Sequence, residues 1–147
     1  MKEELVSREL IAARLEVSDW KDGIRKAGSL LVDNGDIEEA YIEEMIDSVL
    51  KLGPYMVITK GFALAHSAPS EAVKRNSLSL INLSEGVEFG SVNDPVYVIM
   101  CLACTDKTSH MEEIQKVAMR LMKKGTIEAL KDAQSIDELY EIINSKE

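Results

Sequence analysis

The spacing of hydrophobic positions in the first third of the chain predicts two amphipathic helices. The first helix is expected to be capped by Ser18 or Asp19 and to stop near Gly35, and its apolar face comprises Trp20, Ile24, Ala27, Leu30 and Leu31. The second is expected to begin at Asp36 and to end at Gly53, and its apolar face comprises Ile42, Met45, Ile46, Val49 and Leu50.

Short apolar runs bounded by Gly, Pro, Asn and Ser predict β-strands, and these runs cover residues 10–17, 55–58, 62–65, 77–83 and 96–103. The last run is continuously apolar, which is typical of a central strand covered on both faces. Sequences of the form S-x-x-E at Ser109 and Ser135 are capping boxes that predict two further helices. This order predicts an α/β fold, a three-layer α/β/α sandwich with a mixed central sheet flanked by helices, and residues 1–147 are expected to form one domain.

Composition narrows the class of protein. The chain has 147 residues and 46% of them are hydrophobic, which is normal for a globular protein and argues against intrinsic disorder. A formal charge of −9 argues against general nucleic-acid binding, because affinity for a phosphate backbone requires clustered cations. The first residues lack the pattern of a signal peptide and the longest apolar run is too short to cross a bilayer, so a cytoplasmic protein is expected.

The two histidines of the chain are the strongest candidates for chemistry. His66 follows a strand end made of small residues and precedes a turn, a junction that leaves a side chain open to a protein-sized partner. A neutral imidazole has a free lone pair and can attack a phosphoryl group without a general base. His110 is expected at the first position of a helix. If the strands ending near residues 65 and 103 are parallel neighbours, both rings reach one sheet edge beside helix N–H donors that suit an anion.

Other side chains near the histidines are candidates for lesser roles. Hydroxyl groups of Ser67 and Ser109 are expected to contact a bound phosphate. Apolar side chains of Phe62, Leu64 and Met111 are candidates for docking a partner, and membership of the core is the alternative interpretation.

The two cysteines, Cys101 and Cys104, have the C-x-x-C spacing of redox motifs. They lie at the end of a run that is expected to be a buried strand, where positions three apart point to opposite faces. A disulfide or a shared metal is therefore not expected, and both side chains are interpreted as buried apolar groups.

Four motifs together resemble a known family over residues 20–143. They are Gly53-Pro-Tyr-Met-Val-Ile58, Gly61-Phe-Ala-Leu-Ala-His66, Asn93-Asp-Pro-Val96 and Ser109-His110-Met-Glu-Glu-Ile-Gln115. As a set they resemble the enzyme IIA component of the phosphoenolpyruvate-dependent sugar phosphotransferase system (PTS), of the mannitol/fructose type. The Gly-Pro-Tyr and Asn-Asp-Pro-Val elements look most like the ascorbate-type branch.

This resemblance implies a phosphorelay. The histidine phosphocarrier protein would donate a phosphoryl group to His66, and a cysteine of a IIB component would accept it while the membrane component IIC transports the sugar. His110 would support the phosphorylated ring and its phosphoryl group. No cofactor or metal is implied, the sugar would be ascorbate or a related sugar or polyol, and a homodimer is left open.

The sequence departs from the family pattern in three ways near the nucleophile, and two of them concern a missing arginine. Ala65 stands where the family usually has proline before the histidine, and the arginine of the ascorbate-type His-Ala-Arg-Pro sequence is missing. No arginine occurs between Arg25 and Arg75, where mannitol-type members have one. Lys51 or Lys60 is expected to substitute as a point charge without bidentate geometry.

Two alternatives remain at this point. A regulatory or degenerate relative would bind partners and signal through its phosphorylation state. A metal-dependent hydrolase would use His66, His110 and Cys104 as zinc ligands, although their spacing matches no standard zinc motif.

Overall fold

The computed structural model describes residues 4–145. After a short 3₁₀ turn at Arg8–Leu10, its strands are β1 (Ile11–Leu15), β2 (Phe62–Ala65), β3 (Ser77–Val87) and β4 (Val96–Ala103). Its helices are α1 (Trp20–Asp33), α2 (Glu39–Leu52), α3 (Lys107–Leu121), α4 (Thr126–Asp132) and α5 (Ile136–Asn144).

The four strands form one mixed sheet in the order β1-β3-β4-β2. β1 is parallel to β3, β3 is antiparallel to β4, and β4 is parallel to β2 with Ala65 opposite Cys101. The carboxyl ends of β2 and β4 therefore lie at the same edge of the sheet. The antiparallel register, which pairs Ser77 with Ala103, brings the start of β3 to that edge as well.

Helices cover both faces of the sheet, which confirms the expected three-layer arrangement. On one face α1 packs against β3 and β4, and the Ser79 hydroxyl donates a hydrogen bond to the Ala27 carbonyl at 2.7 Å. α2 packs against α1 and reaches β4 through Met45, whose sulfur accepts from the Cys101 thiol at 3.7 Å. On the other face α3, α4 and α5 contact the strands. The pleat of the strands explains why both faces of the sheet need helices, because successive residues of a strand face opposite sides.

The expected central strand is confirmed. β4 covers the predicted residues 96–103, lies between β3 and β2, and is buried except at Tyr97. The strand expected at residues 10–17 is shorter, since β1 ends at Leu15.

Residues 55–58 do not form a strand. Gly53 has φ of 86°, and the Val57 N–H donates to the Pro54 carbonyl at 3.1 Å, so the chain turns instead of extending. The segment still serves the sheet, because the Met56 carbonyl accepts a hydrogen bond from the Leu64 N–H at 2.8 Å. β2 is an edge strand, and this contact satisfies one of its outward-facing donors.

Asp36 does not start α2. The helix begins at Glu39 after Glu38, whose side chain makes no capping hydrogen bond. The buried Asp36 carboxylate instead accepts hydrogen bonds from Arg75 Nε at 2.7 Å and the Ser77 hydroxyl at 2.6 Å. These hydrogen bonds connect the turn between α1 and α2 to the start of β3.

The capping box expected at Ser109 is also wrong, because α3 begins earlier, at Lys107. Asp106 is the cap, and its carboxylate accepts from the Ser109 N–H at 2.8 Å. The final helix does start as predicted, with the Ser135 hydroxyl accepting from the Glu138 N–H. α4 was not predicted, because seven residues with one buried position show no clear period. None of the helices within residues 4–145 combines the length and apolar character that crossing a membrane requires.

Asn82 is the buried polar group on which the α4 face of the sheet most depends. Its carboxamide oxygen accepts from the Arg14 N–H at 2.7 Å, and its nitrogen donates to the Leu130 and Ala133 carbonyls, both at 2.8 Å. Asn82→Ala should leave these three groups unpaired and lower the free energy of unfolding by about 3 kcal/mol in a denaturant titration. Ser84→Ala, which removes one hydrogen bond of 3.3 Å, should cost less than about 1 kcal/mol. Equal losses in the two variants would contradict this assignment.

Candidate functional site

His66 stands at the carboxyl end of β2, immediately after Ala65. Its ring nitrogen Nδ1 lies 2.7 Å from the Leu64 carbonyl oxygen. A carbonyl oxygen can only accept, so Nδ1 carries the proton and the lone pair of the neutral ring is on Nε2. The backbone of the strand thus determines which nitrogen of the half-buried ring is nucleophilic.

The environment keeps this ring neutral. Burial lowers the pKa of His66, the hydrogen bond to the Leu64 carbonyl opposes that shift, and the neighbouring His110 adds to it. The net direction is downward, so the ring is uncharged near pH 7 and its lone pair is available.

His110 lies beside His66. The two ring centroids are 5.3 Å apart and the ring planes meet at 61°. The expected convergence is confirmed, because β2 and β4 are parallel neighbours and α3 follows β4 directly. The expected position of His110 in the helix is wrong: it is the fourth residue of α3, and its N–H already donates to the Asp106 carbonyl at 3.1 Å. Any contact with an anion must therefore come from the ring and not from this backbone group.

The His110 ring has one unusual atom. Nδ1 is buried and has no hydrogen-bond partner among residues 4–145. Burial lowers the pKa of His110, so this ring is also neutral near pH 7. A proton on a buried Nδ1 without an acceptor would be costly, which favours the tautomer with the proton on Nε2. In that tautomer Nε2 is a hydrogen-bond donor.

Tyr55 supports His66 from another side. Its ring meets the His66 ring edge to face, with centroids 5.2 Å apart and planes at 90°, and its hydroxyl donates to the His66 carbonyl at 2.7 Å. Sequence reasoning included Tyr55 only as part of the Gly-Pro-Tyr motif and gave it no role. The turn that replaced the expected strand at residues 55–58 is what brings it here.

The segment after His66 is held by Tyr41, which sequence reasoning did not single out. The buried Tyr41 hydroxyl accepts from the Ser67 N–H at 2.9 Å and lies 3.0 Å from the Ser67 carbonyl and 3.1 Å from the Leu102 carbonyl. Burial raises the pKa of Tyr41 well above its usual range, so the hydroxyl stays protonated. Its position one residue before the apolar stripe of α2 was the signal, since a buried tyrosine needs a partner for its hydroxyl.

The predicted hydroxyl groups are both engaged within the protein. Ser67 Oγ lies 3.2 Å from Ser48 Oγ, next to His66. Ser109 Oγ donates to the capping carboxylate of Asp106 at 3.0 Å, one residue before His110. A role for either in binding phosphate remains a prediction.

The two candidate lysines have different outcomes. Lys51 is exposed in the last turn of α2, one helical turn after Ser48, and its proposed role remains a prediction. Lys60 precedes β2 and lies beside Pro95 and Tyr97, at the amino ends of β2 and β4. The assignment of Lys60 to the phosphate is wrong, because the length of β2 separates it from His66.

Of the three apolar docking candidates, only Met111 is on the surface. Phe62 and Leu64 are 0% and 1% exposed, so the docking role is wrong and they belong to the core. As even-numbered residues of β2 they share one face of the strand, and their partners in β4 are Val98 and Met100. Met111, beside His110, is 63% exposed and is available to a partner.

Both cysteines are buried, as expected, and their thiols are free of any disulfide. Burial raises the pKa of Cys101 to about 12 and that of Cys104 to about 11, so neither forms a thiolate near pH 7. Within residues 4–145 no three His, Cys, Asp or Glu side chains come together as a metal site, so nothing there supports the zinc hydrolase alternative.

The tautomer and the lowered pKa of His66 can be measured by ¹⁵N NMR of the imidazole rings. At pH 7 the shifts should show a protonated Nδ1 and a bare Nε2, and the midpoint should lie below the ordinary value of about 6.5. Because the unfolded chain binds this proton at higher pH than the folded one, the free energy of unfolding should begin to fall once the pH drops below about 6.5. In His66→Gln the free energy of unfolding should fall less over the same pH range. A midpoint above the ordinary value, or a proton on Nε2, would contradict the geometry.

Curated relatives match nearly the full length of the chain. The ascorbate-specific PTS system EIIA component of Salmonella typhimurium is 27% identical over 146 residues, 98% of this chain and 95% of that protein. The same-named component of Escherichia coli K12 is also 27% identical, with the same coverage.

Solved structures share the fold. The solution structure of the mannitol-specific cryptic phosphotransferase enzyme IIA CmtB from E. coli has a TM-score of 0.87 and 28% identity, covering 97% of this chain and 99% of that one. A complex of enzyme IIAMTL with phosphorylated enzyme IIBMTL from E. coli has a TM-score of 0.82 and 25% identity, covering 94% and 96%. One family covers nearly the whole chain. Its model, the phosphoenolpyruvate-dependent sugar phosphotransferase system, EIIA 2, matches residues 4–146, and the chain belongs to that family.

Proposed function

We propose that the protein is a phosphoryl carrier in which His66 Nε2 accepts phosphate from the histidine phosphocarrier protein and passes it to a cysteine of a IIB component. The observation that carries this proposal is the hydrogen bond between His66 Nδ1 and the Leu64 carbonyl, beside a second neutral imidazole. Together the two rings present one lone pair, on His66 Nε2, to attack phosphorus and one N–H donor, on His110 Nε2, to bind the charged phosphoryl oxygens.

Acceptance of the phosphoryl group needs no general base. Nε2 attacks phosphorus with its lone pair, the P–N bond of the donor phosphohistidine breaks, and the bonding electrons leave with the donor ring. The Nδ1 proton of His66 stays in place, hydrogen-bonded to the Leu64 carbonyl. The phosphorylated ring therefore keeps the proton that it needs to leave later as a neutral imidazole.

His110 stabilises the charge during transfer. With Nδ1 buried and unpartnered among residues 4–145, its Nε2–H is the donor that can reach a phosphoryl oxygen on His66. Phosphoryl transfer depends mainly on positioning and on stabilising charge at the equatorial oxygens. A neutral donor supplies this stabilisation without repelling the ring that it supports.

Donation to the next protein reverses the first step. A cysteine thiolate of the IIB component attacks phosphorus, the P–Nε2 bond breaks, and His66 leaves as a neutral ring with its proton on Nδ1. One neighbouring fold is a complex of a IIA protein with a phosphorylated IIB protein, which supports this choice of acceptor.

Partners would dock on the exposed apolar side chains near this edge of the sheet. Met111 lies one residue after His110, and Leu50 and Leu52, which end α2, are 61% and 73% exposed. Exposed apolar groups around a half-buried nucleophile suit a transient protein partner better than a deep substrate pocket does.

The sugar is proposed to be ascorbate or a related sugar or polyol. Curated relatives are named for ascorbate and structural neighbours for mannitol. Because this chain exchanges phosphate only with proteins in the proposed scheme, its own site does not select the sugar.

The absence of an arginine between Arg25 and Arg75 favours a second candidate, a regulatory relative that accepts phosphate but passes it on slowly. Arg75 itself is engaged with Asp36 and with the Asn34 carbonyl. Transfer to a IIB cysteine separates the candidates, because efficient transfer excludes a purely regulatory role.

The nucleophile is tested by incubation with phosphoenolpyruvate, enzyme I and the phosphocarrier protein, followed by assay of acid-labile phosphate. His66→Gln should abolish the label, because no other imidazole has the same free Nε2. His110→Gln should still be labelled, but on the order of 100-fold more slowly, because one donor to the transferring group is lost. Undiminished label in His66→Gln would reject the proposal.

Docking at this edge is tested with two matched variants in one helix. Met111→Glu should slow transfer between proteins by about tenfold through a higher KM, because a charge replaces an apolar contact near the nucleophile. Met119→Glu makes the same change at a position of α3 that is 73% exposed and two turns away, and it should leave transfer unchanged. Equal effects of the two substitutions would remove Met111 from the interface.

A further inference from the structure

A concave site lies at the opposite edge of the sheet from His66. A cleft of about 680 Å³ is formed by the amino ends of β2 and β4 together with the segment from the end of α3 through α4. Eight residues of β4 at about 3.3 Å each place it roughly 25 Å from the carboxyl ends of the strands. The cleft is therefore separate from the phosphoryl site and independent of the proposed function.

The rim of the cleft carries four lysines, Lys60, Lys123, Lys124 and Lys131. All four are exposed, and within residues 4–145 none of their ammonium groups is in an ion pair. Two carboxylates, Glu128 and Asp132, also line the cleft, so four positive and two negative groups leave two net positive charges. This concentration is unusual on a chain whose formal charge is −9.

Part of the lining of the cleft is apolar. It comprises Pro95, Tyr97, Leu121 and Ile127, and the Lys131 ammonium lies 4.3 Å from the centroid of the Tyr97 ring. A cation over an aromatic face is itself attracted to that ring. The cleft thus combines apolar side chains with exposed cations, and its volume is within the size range of small-molecule sites.

We infer that this cleft binds a small organic anion that carries two or more phosphate charges and a planar apolar part, the chemistry of a nucleoside di- or triphosphate. The lysine ammonium groups bind the phosphates as point charges, and the planar part packs against the apolar lining to which Tyr97 and Ile127 contribute. The two net positive charges of these six groups favour an anion with at least two negative charges over a single carboxylate.

The full chain is titrated with ATP, inorganic triphosphate and glucose 6-phosphate while backbone amides are followed by ¹H–¹⁵N NMR. ATP should give saturable shifts centred on Gly61, Tyr97 and Gly125, and no shifts centred on His66. Triphosphate should bind at least fivefold more weakly because it lacks the planar part, and glucose 6-phosphate should bind more weakly still. Affinities are compared at one fixed salt concentration, since exposed charges are screened.

Three variants separate the contributions. Lys123→Gln/Lys124→Gln should weaken ATP binding at least tenfold, while Lys21→Gln/Lys26→Gln, which removes two charges from α1, should not change it. Tyr97→Leu should weaken ATP but not triphosphate, and thermal unfolding checks that each variant is folded. Unsaturable shifts, equal affinities for ATP and triphosphate, or unchanged binding in the Lys123/Lys124 variant would each overturn the inference.

Discussion

The parallel pairing of β2 with β4 is the constraint on which the site depends. It aligns Ala65 with Cys101, so that the residue after β2 and the helix after β4 leave the sheet at one edge. His66 and His110 are 44 positions apart in the chain, and only this register brings their rings to 5.3 Å. An antiparallel arrangement of the same two strands would have put the histidines at opposite ends of the molecule.

Burial explains how two imidazoles can lie so close together. Loss of hydration lowers the pKa of both rings, which leaves each of them neutral near pH 7. Two imidazolium groups at that separation would repel each other, whereas two neutral rings pack as an aromatic pair. The half-buried position of the pair therefore has two effects. Dehydration keeps the lone pair of His66 free of a proton, and it also allows a second imidazole to lie beside that ring without charge repulsion.

The sequence predicted the parts of this structure that rest on long, regular patterns. The continuous apolar run at 96–103, the sandwich architecture and the convergence of the histidines were all predicted correctly, since each follows from strand burial and chain order. Helix starts were predicted less well. Asp36 has a capping-type side chain, but its carboxylate binds Arg75, which lies far along the chain. Ser109 also has such a side chain, but its neighbour Asp106 is the cap and accepts the Ser109 hydroxyl. Tyr55 was missed because its hydroxyl binds a backbone carbonyl, and that contact leaves no mark in residue spacing. Tyr41 did have a signal in its place beside the apolar stripe of α2, but the pattern does not show which groups its hydroxyl contacts.

The contact between His66 and residue 64 has an evolutionary consequence. The group that determines which ring nitrogen keeps the lone pair is a peptide carbonyl two residues away in the chain, and a peptide carbonyl is present whatever amino acid occupies that position. Replacement of the side chain changes packing but leaves the acceptor where it is. Substitutions near this ring, at residue 64 or 65, are thereby uncoupled from the choice of tautomer, which would not be so if the acceptor were a side chain.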